Sequence, residues 1–166
     1  MNQIVAVDSN WGIGKDGRLL ISIPEDMKFF RTMTQGKTVI MGRKTLESFP
    51  GGKPLKGRRN IVLTRQPDID LKGAERAGSV EEALAMVKDE DSVNVFVIGG
   101  SSIYEAFLPY CDTCYVTKIG RAYPADSRYP DLEAEDEWEA DKESAEMLWE
   151  DIPYRFVTYK KRFKTN

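Results

Sequence analysis

The chain has 166 residues, 41% of them hydrophobic and 31% charged, with a formal net charge of −3. That suits one domain whose core needs neither disulfides nor metals. There is no histidine, which excludes Ser-His-Asp and Cys-His catalysis, HExxH zinc sites and any imidazole acid or base.

In chain order, the opening MNQIVAVDSN has no basic run and no long apolar stretch, so no signal peptide is expected. Nowhere does the chain approach the roughly 20 apolar residues of a membrane span. A cytoplasmic protein with no membrane partner is the expectation. Apolar runs rich in Val, Ile, Phe and Tyr predict strands over 4–7, 38–41, 61–64, 93–98, 115–119 and 156–159. Between the first two, Gly12-Ile13-Gly14-Lys15-Asp16-Gly17 matches GxGxxG. As a dinucleotide fingerprint it should open a helix and be followed by an acid about 20 residues later. Here RLLISIP follows, and Lys37 stands at the acid's place. A glycine-rich loop able to close over a ligand is the better reading.

Pro24 opens a helix that Gly36 stops. On it Asp26, Phe30 and Met33 share one face at i, i+4 and i+7, with Met27 at its border. A carboxylate among apolar residues is costly unless something binds it. Asp26 is therefore a candidate site residue, against the alternative of a first-turn acid serving the helix dipole. Ser79 predicts a capping box, S-V-E-E, for a helix running to about Val87. Another helix follows Gly99-Gly100 through Ile103, Phe107 and Leu108 to Pro109.

Continuous apolar runs such as VFVIGG suit strands covered on both faces. Alternation with helices predicts a mainly parallel sheet, and the end of the chain predicts an antiparallel edge strand. Three strand ends then share one edge: 38–41 runs into Gly42-Arg43-Lys44-Thr45, 61–64 into Arg65, and 93–98 into Gly99-Gly100-Ser101-Ser102. Ligands bind at that edge. Glycine backbones, a helix start and the cations Arg43, Lys44 and Arg65 together suit a phosphorylated cofactor, with an extra phosphate of the NADP kind.

Charge is unevenly spread. Residues 1–66 hold twelve bases and five acids, net +7, and residues 131–151 hold eleven acids and one base, net −10. The basic half suits a small polyanion. Without a dense basic run or basic-aromatic cluster, nucleic acid is not an expected partner. The acidic stretch reads as solvated surface. Cys111-Asp112-Thr113-Cys114 matches CxxC, but zinc would need two further ligands. A redox pair stays open beside the plainer reading of two small residues flanking a turn.

Six segments carry a resemblance: A-V-D-x-x-x-G-I-G, I-P-E-D-M-x-F-F, V-I-M-G-R-K-T-x-E-S, L-x-G-R-x-N-I-V-L-T-R, V-F-V-I-G-G-x-x-I-Y and Y-V-T-K-I. In this order and spacing, over essentially the whole chain, they resemble dihydrofolate reductase of the bacterial chromosomal type. The resemblance implies an α/β fold. Its mainly parallel central sheet has about eight strands and an antiparallel C-terminal strand, flanked by four helices. It implies one domain, 1–166, containing an adenosine-binding subdomain, 38–92. The implied reaction is reduction of 7,8-dihydrofolate to tetrahydrofolate by NADPH in a monomer that antifolate inhibitors also bind. No metal is implied.

The implied roles fall on matching residues. Asp26 pairs with the pterin N3 and 2-amino group, the kind of edge that two parallel hydrogen bonds from a carboxylate suit, and Thr117 supports it. Leu19 joins them in the catalytic set, within a mobile loop from Asn10 to Leu20. Ile4, Val5, Ala6, Phe30 and Ile98 wall the pterin pocket. Met27, Phe49 and Leu55 pack on the benzoyl ring, and Arg58 clamps the glutamate α-carboxylate. Arg43, Thr45, Gly99, Gly100 and Ser102 hold the cofactor phosphates, with Thr64 and Arg65 near the 2′-phosphate. Ala6, Ile13 and Tyr104 sit near the nicotinamide. Gly14, Gly42, Lys44, Ser101 and Ile103 complete the cofactor set.

Two residues depart from the family pattern. Leu19-Leu20-Ile21 replaces Leu-Pro-Trp, so the tryptophan's hydrogen bond to an ordered water is not available from Ile21. Ser101 replaces a third glycine. Asp26 is expected too far from N5 to protonate it directly, which leaves that step to water. A pyrimidine reductase of the riboflavin pathway and a non-catalytic NADP-binding module are the competing readings. The first gives no reason for Asp26 and Arg58, and intact Asp26, Thr117 and Arg58 argue against the second.

Overall fold

The computed structural model describes residues 1–162; the expected domain's last residues, 163–166, lie outside them. Its elements are β1 (Asn2–Val7), β2 (Gly12–Lys15), β3 (Arg18–Leu19), α1 (Pro24–Thr34), β4 (Thr38–Gly42), α2 (Arg43–Ser48), β5 (Arg59–Leu63), β6 (Glu75–Ala77), α3 (Val80–Met86), β7 (Val95–Gly99), α4 (Ser101–Phe107), β8 (Thr113–Ile119), β9 (Ser127–Arg128), β10 (Trp138–Glu143), β11 (Met147–Trp149) and β12 (Ile152–Lys161). The main sheet has nine strands in the order β10-β12-β8-β1-β7-β4-β5-β6, with β11 also paired to β12. From β8 to β6 every neighbour is parallel, whereas β12 runs antiparallel to β8, β10 and β11. A second sheet, β3-β2-β9, carries the glycine-rich segment.

The buried strands explain the apolar runs. Val39, Ile40, Met41, Ile61, Val62, Val95 and Val97 are fully buried, because helices and loops cover both faces of the sheet. One face packs Ile4, Val39, Met41, Phe96 and Ile98 against Phe29, Phe30 and Met33 of α1. Phe29 packs on Phe156 of β12 with centroids 4.5 Å apart and the rings tilted by 30°. The other face buries Val5, Val7, Val97, Tyr104, Phe107 and both cysteines.

α1 starts with Pro24 in its first turn and ends at Thr34, just before Gly36 at a φ of 76°. Ser79 caps α3 by accepting from the Glu82 N–H, but the Glu82 carboxylate reaches back to the N–H of Gly78, one residue before the cap. The capping box is thus shifted rather than reciprocal.

Three expectations are corrected. Val93 is not in the strand; it is exposed in a short 3-10 turn, Ser92–Asn94, because Asp91 caps that turn at the Val93 N–H. The last strand is antiparallel but not an edge. β10 and β11, formed by the acidic stretch, pair along its far side, with the acids of β10 facing solvent. Cys111 and Cys114 are free and buried, and burial pushes their thiols up to about 11 and about 12. A redox pair needs an accessible, easily ionised thiol, so that reading falls.

Candidate active site

The sheet order brings the C-terminal ends of β1, β4, β5 and β7 to one edge. Gly42 lies in register with Leu63, and Met41 with Gly99, so the turns after β4, β5 and β7 are side by side. Gly42 is the N-cap residue of α2 and Gly100 that of α4, and neither helix has a side-chain cap. Their first N–H groups are left for a ligand. A side chain at Gly42 would put a Cβ 3.1 Å from Ile103. Gly99 has a φ of 125° and packs on the Tyr104 ring, a backbone position suited to glycine alone. Arg43 bonds to Glu47 at 2.7 Å and to Gln66 at 2.9 Å, which joins the turn after β4 to the one after β5. Lys44, Arg65 and Ser102 are exposed there, and Thr45, Thr64, Ser101 and Ile103 are half-buried. The donor set is backbone N–H groups, hydroxyls and cations, which fits a phosphorylated cofactor.

Beside this edge, Asp26 in the first turn of α1 meets Thr117 of β8. The Thr117 hydroxyl donates to Asp26 Oδ1 at 2.6 Å. Burial raises the Asp26 pKa, and the Thr117 hydrogen bond partly offsets this. Ala6 pairs with Thr117 across β1 and β8, and Phe156 of β12 flanks it on the other side. Phe30, Phe49 and Leu55 line the same apolar face as Ile4 and Ile98. Met27 and Leu19 are exposed at 43% and 59%, as residues at the mouth of a cleft would be.

Arg58 lies with its guanidinium 5.9 Å from the Phe30 ring centroid. Its Nη2 donates to Gln35 at 3.3 Å, and its Nε is buried without a partner among the described residues. Burial, with Arg31 nearby, lowers its pKa; the guanidinium still stays charged, and an anionic group bound there would offset both effects.

Strand alternation corrects one expectation. Val5 points to the opposite face from Ile4, into the core with Val7 and Ile40, so its side chain is no part of the pocket wall. Ile13 and Tyr104 are buried on that opposite side as well. Tyr104 donates its hydroxyl to the Ile4 carbonyl at 2.7 Å and so supports β1 from beneath.

The glycine-rich segment is a hairpin, not a helix start. Asp8, which sequence reasoning gave no role, holds it in place. Only 2% exposed, Asp8 accepts the N–H groups of Asn10, Gly12 and Tyr123 at 2.8–2.9 Å. A Cβ at Gly12 would meet Ala125 at 2.8 Å and the Asp8 carboxylate at 3.1 Å, so the tight approach requires glycine. Asp126 also accepts from the Asp16 N–H at 2.8 Å. An acid directly after a buried strand and before a glycine-rich turn was the available signal. No residue pattern marks Tyr123 or Asp126.

Among the described residues, no group of three or more acids or cysteines could hold a metal, and no helix is long and apolar enough to cross a membrane.

Comparisons with known proteins agree with this geometry. The family model for dihydrofolate reductase matches residues 1–161. The chain is 36% identical over 161 residues to a dihydrofolate reductase of Bacillus subtilis, covering 96% of this chain and 93% of that one. It is 37% identical over 156 residues to one of Neisseria gonorrhoeae, covering 94% of each. Dihydrofolate reductase from Enterococcus faecalis, solved as a complex with NADP(H) and RAB-propyl, superposes with a TM-score of 0.87 at 33% identity, covering 98% of this chain and 96% of that one. With a family model spanning almost its whole length and relatives matched end to end, the chain belongs to the dihydrofolate reductase family.

Proposed function

We propose a division of labour among this chain's residues for the family's reaction, the NADPH-dependent reduction of 7,8-dihydrofolate to 5,6,7,8-tetrahydrofolate. The observation that carries it is the Asp26–Thr117 pair, a half-buried carboxylate held at 2.6 Å by a buried hydroxyl beside the sheet edge. Asp26 accepts two parallel hydrogen bonds from the pterin N3–H and 2-amino group, and Thr117 fixes the carboxylate's orientation. Ile4, Ala6, Phe30 and Ile98 enclose the pterin. Met27, Phe49 and Leu55 contact the benzoyl ring, and Arg58 takes the α-carboxylate with its free donors.

The turns after β4, β5 and β7 hold the cofactor, through Gly42, Arg43, Lys44, Thr45, Thr64, Arg65, Gly99, Gly100, Ser101, Ser102 and Ile103. Ala6 and Gly14 border the nicotinamide, and Ile13 and Tyr104, buried on the opposite face, support that wall from behind. When bound, NADPH supplies the hydride that reduces the pterin ring. Protein groups align the ring and exclude bulk water. Leu19 and the β2–β3 hairpin close the mouth. With Asp26 engaged by the pterin edge, the proton for N5 comes from water. We assign 38–92 as the adenosine-binding subdomain of a single domain. The protein works as a cytoplasmic monomer without nucleic acid or a membrane, and antifolate inhibitors compete for the pterin pocket.

The assay is the loss of NADPH absorbance on addition of dihydrofolate, repeated with NADH. Turnover with NADPH and a clear preference over NADH are expected. No loss above background refutes the assignment and favours a non-catalytic cofactor-binding module.

A further inference from the structure

Gln35 is the residue on which α1 ends. Its N–H still donates to the Arg31 carbonyl at 2.9 Å, and Gly36 then turns the chain at a φ of 76°. This stop lays residues 35–37 along residues 57–59. The Gly36 N–H donates to the Gly57 carbonyl at 2.9 Å, and the Arg59 N–H donates to the Lys37 carbonyl at 3.0 Å. Arg58 sits between these two bonds. Its Nη2 donates to Gln35 Oε1 at 3.3 Å, and Gln35 Nε2 reaches the Gly57 carbonyl at 3.5 Å. Gly57, at a φ of 73°, leaves room for the amide, because a Cβ there would collide with Gln35 Nε2.

The Arg58 guanidinium has few other holds. It lies 5.9 Å from the Phe30 ring centroid, and its Nε is buried without a partner. Among the described residues the one charge that bears on it is that of Arg31, a repulsion. A guanidinium on a long stem loses rotamer freedom when a ligand fixes it. A neighbour that fixes it beforehand lowers that cost. A carboxylate at position 35 would hold Arg58 more tightly, but it would also neutralise the cation. An amide holds the guanidinium through one oxygen and leaves it the charge and its remaining donors. Gln35 is exposed, so core packing does not account for its place.

We propose that Gln35 is a positioning residue for substrate capture: its neutral amide presets the Arg58 guanidinium for the substrate's carboxylate without quenching its charge. This rests on the assignment of Arg58 to the α-carboxylate above. Gln35 does not touch the reacting atoms, so it acts on binding and not on hydride transfer. It thereby favours a substrate with an α-carboxylate over one with a neutral group in that place.

The test compares dihydrofolate with its α-carboxamide, in which only the α-carboxylate is neutralised, as substrates of the wild type, Gln35→Leu and Gln35→Glu. Gln35→Leu keeps most of the bulk and loses both amide contacts. Its KM for dihydrofolate should rise about fivefold while kcat stays within about twofold. Gln35→Glu should raise that KM at least about tenfold, because its carboxylate competes with the substrate's for Arg58. KM for the carboxamide should stay within about twofold in both variants, since Arg58 has no α-carboxylate to take there. Arg58→Leu closes a double-mutant cycle, and in that background Gln35→Leu should change KM by less than about twofold. An unchanged KM for dihydrofolate, equal rises with both substrates, a loss of kcat as large as the rise in KM, or full additivity with Arg58→Leu overturns the proposal. If the wild type prefers dihydrofolate to the carboxamide and the Gln35 variants match it, only the role of Gln35 falls. If the wild type binds both substrates alike, the assignment of Arg58 falls and the role of Gln35 with it.

Discussion

Thr117→Val tests the pair on which the site is built. Thr117 is 2% exposed, and valine keeps its β-branched shape between Ala6 and Phe156. The main loss is the 2.6 Å hydrogen bond to Asp26 Oδ1. A bond to an ionised acceptor contributes about 1.5–3 kcal/mol, and one to a neutral carboxyl about 0.5–1.5 kcal/mol. The cost should therefore depend on whether Asp26 is charged. Burial raises the Asp26 pKa and Thr117 lowers it, so valine raises it further. Between the unfolded and folded pKa values the folded protein binds more protons than the unfolded chain. Stability is then full below the unfolded value and declines as pH rises through the folded one. In the variant that decline extends to higher pH. The gap between the two proteins should thus be about 1 kcal/mol in acid and widen to about 2–3 kcal/mol once both are ionised. Urea unfolding from about pH 4 to about pH 9 measures it. A gap that is constant with pH, or that closes as pH rises, refutes the reasoning.

Asp26→Asn should reduce turnover at least about a hundredfold yet raise the urea midpoint of the empty protein at neutral pH, because it removes a charge from a buried place; a lower midpoint contradicts the burial argument. Asp8→Ala strips the acceptor from three N–H groups and should cost about 3–5 kcal/mol, with a midpoint loss below about 1 kcal/mol counting against the anchoring role. Arg65→Ala should raise KM for NADPH by about tenfold while leaving KM for NADH nearly unchanged, since only the former carries the 2′-phosphate; equal effects on both would remove Arg65 from that site.

How much of the site was legible follows from how local each signal is. Asp26 stands out because helix periodicity sets an acid on an apolar face within one element. The three cofactor turns stand out because each joins a strand to glycines or cations over a few residues. Thr117 has no such mark. Its partner lies 91 residues away, across β8 and α1, and only the family resemblance brought it forward. Val5 was misplaced because the resemblance took 4–6 as one wall, whereas a strand turns successive side chains to opposite faces. The antiparallel direction of β12 was readable from the lack of a crossover helix. Its interior position was not, because β10, which pairs along most of its far side, carries mostly charged residues and reads as surface.

The charge asymmetry of the sequence becomes a spatial one once the sheet order is known. The acidic stretch forms β10 and β11 at one side of the sheet, while Arg43, Lys44 and Arg65 follow β4 and β5 toward the other. From β10 to β4 the order takes five strand steps, about 24 Å at the usual spacing. That is about three Debye lengths at physiological salt. The acids of β10, Glu139, Asp141 and Glu143, therefore leave the field at the phosphate turns almost untouched, although the acidic stretch makes the whole chain negative. Net charge alone would argue against a polyanionic cofactor. The local balance, positive where backbone N–H groups already point outward, favours one and adds attraction at the place where the phosphates must dock.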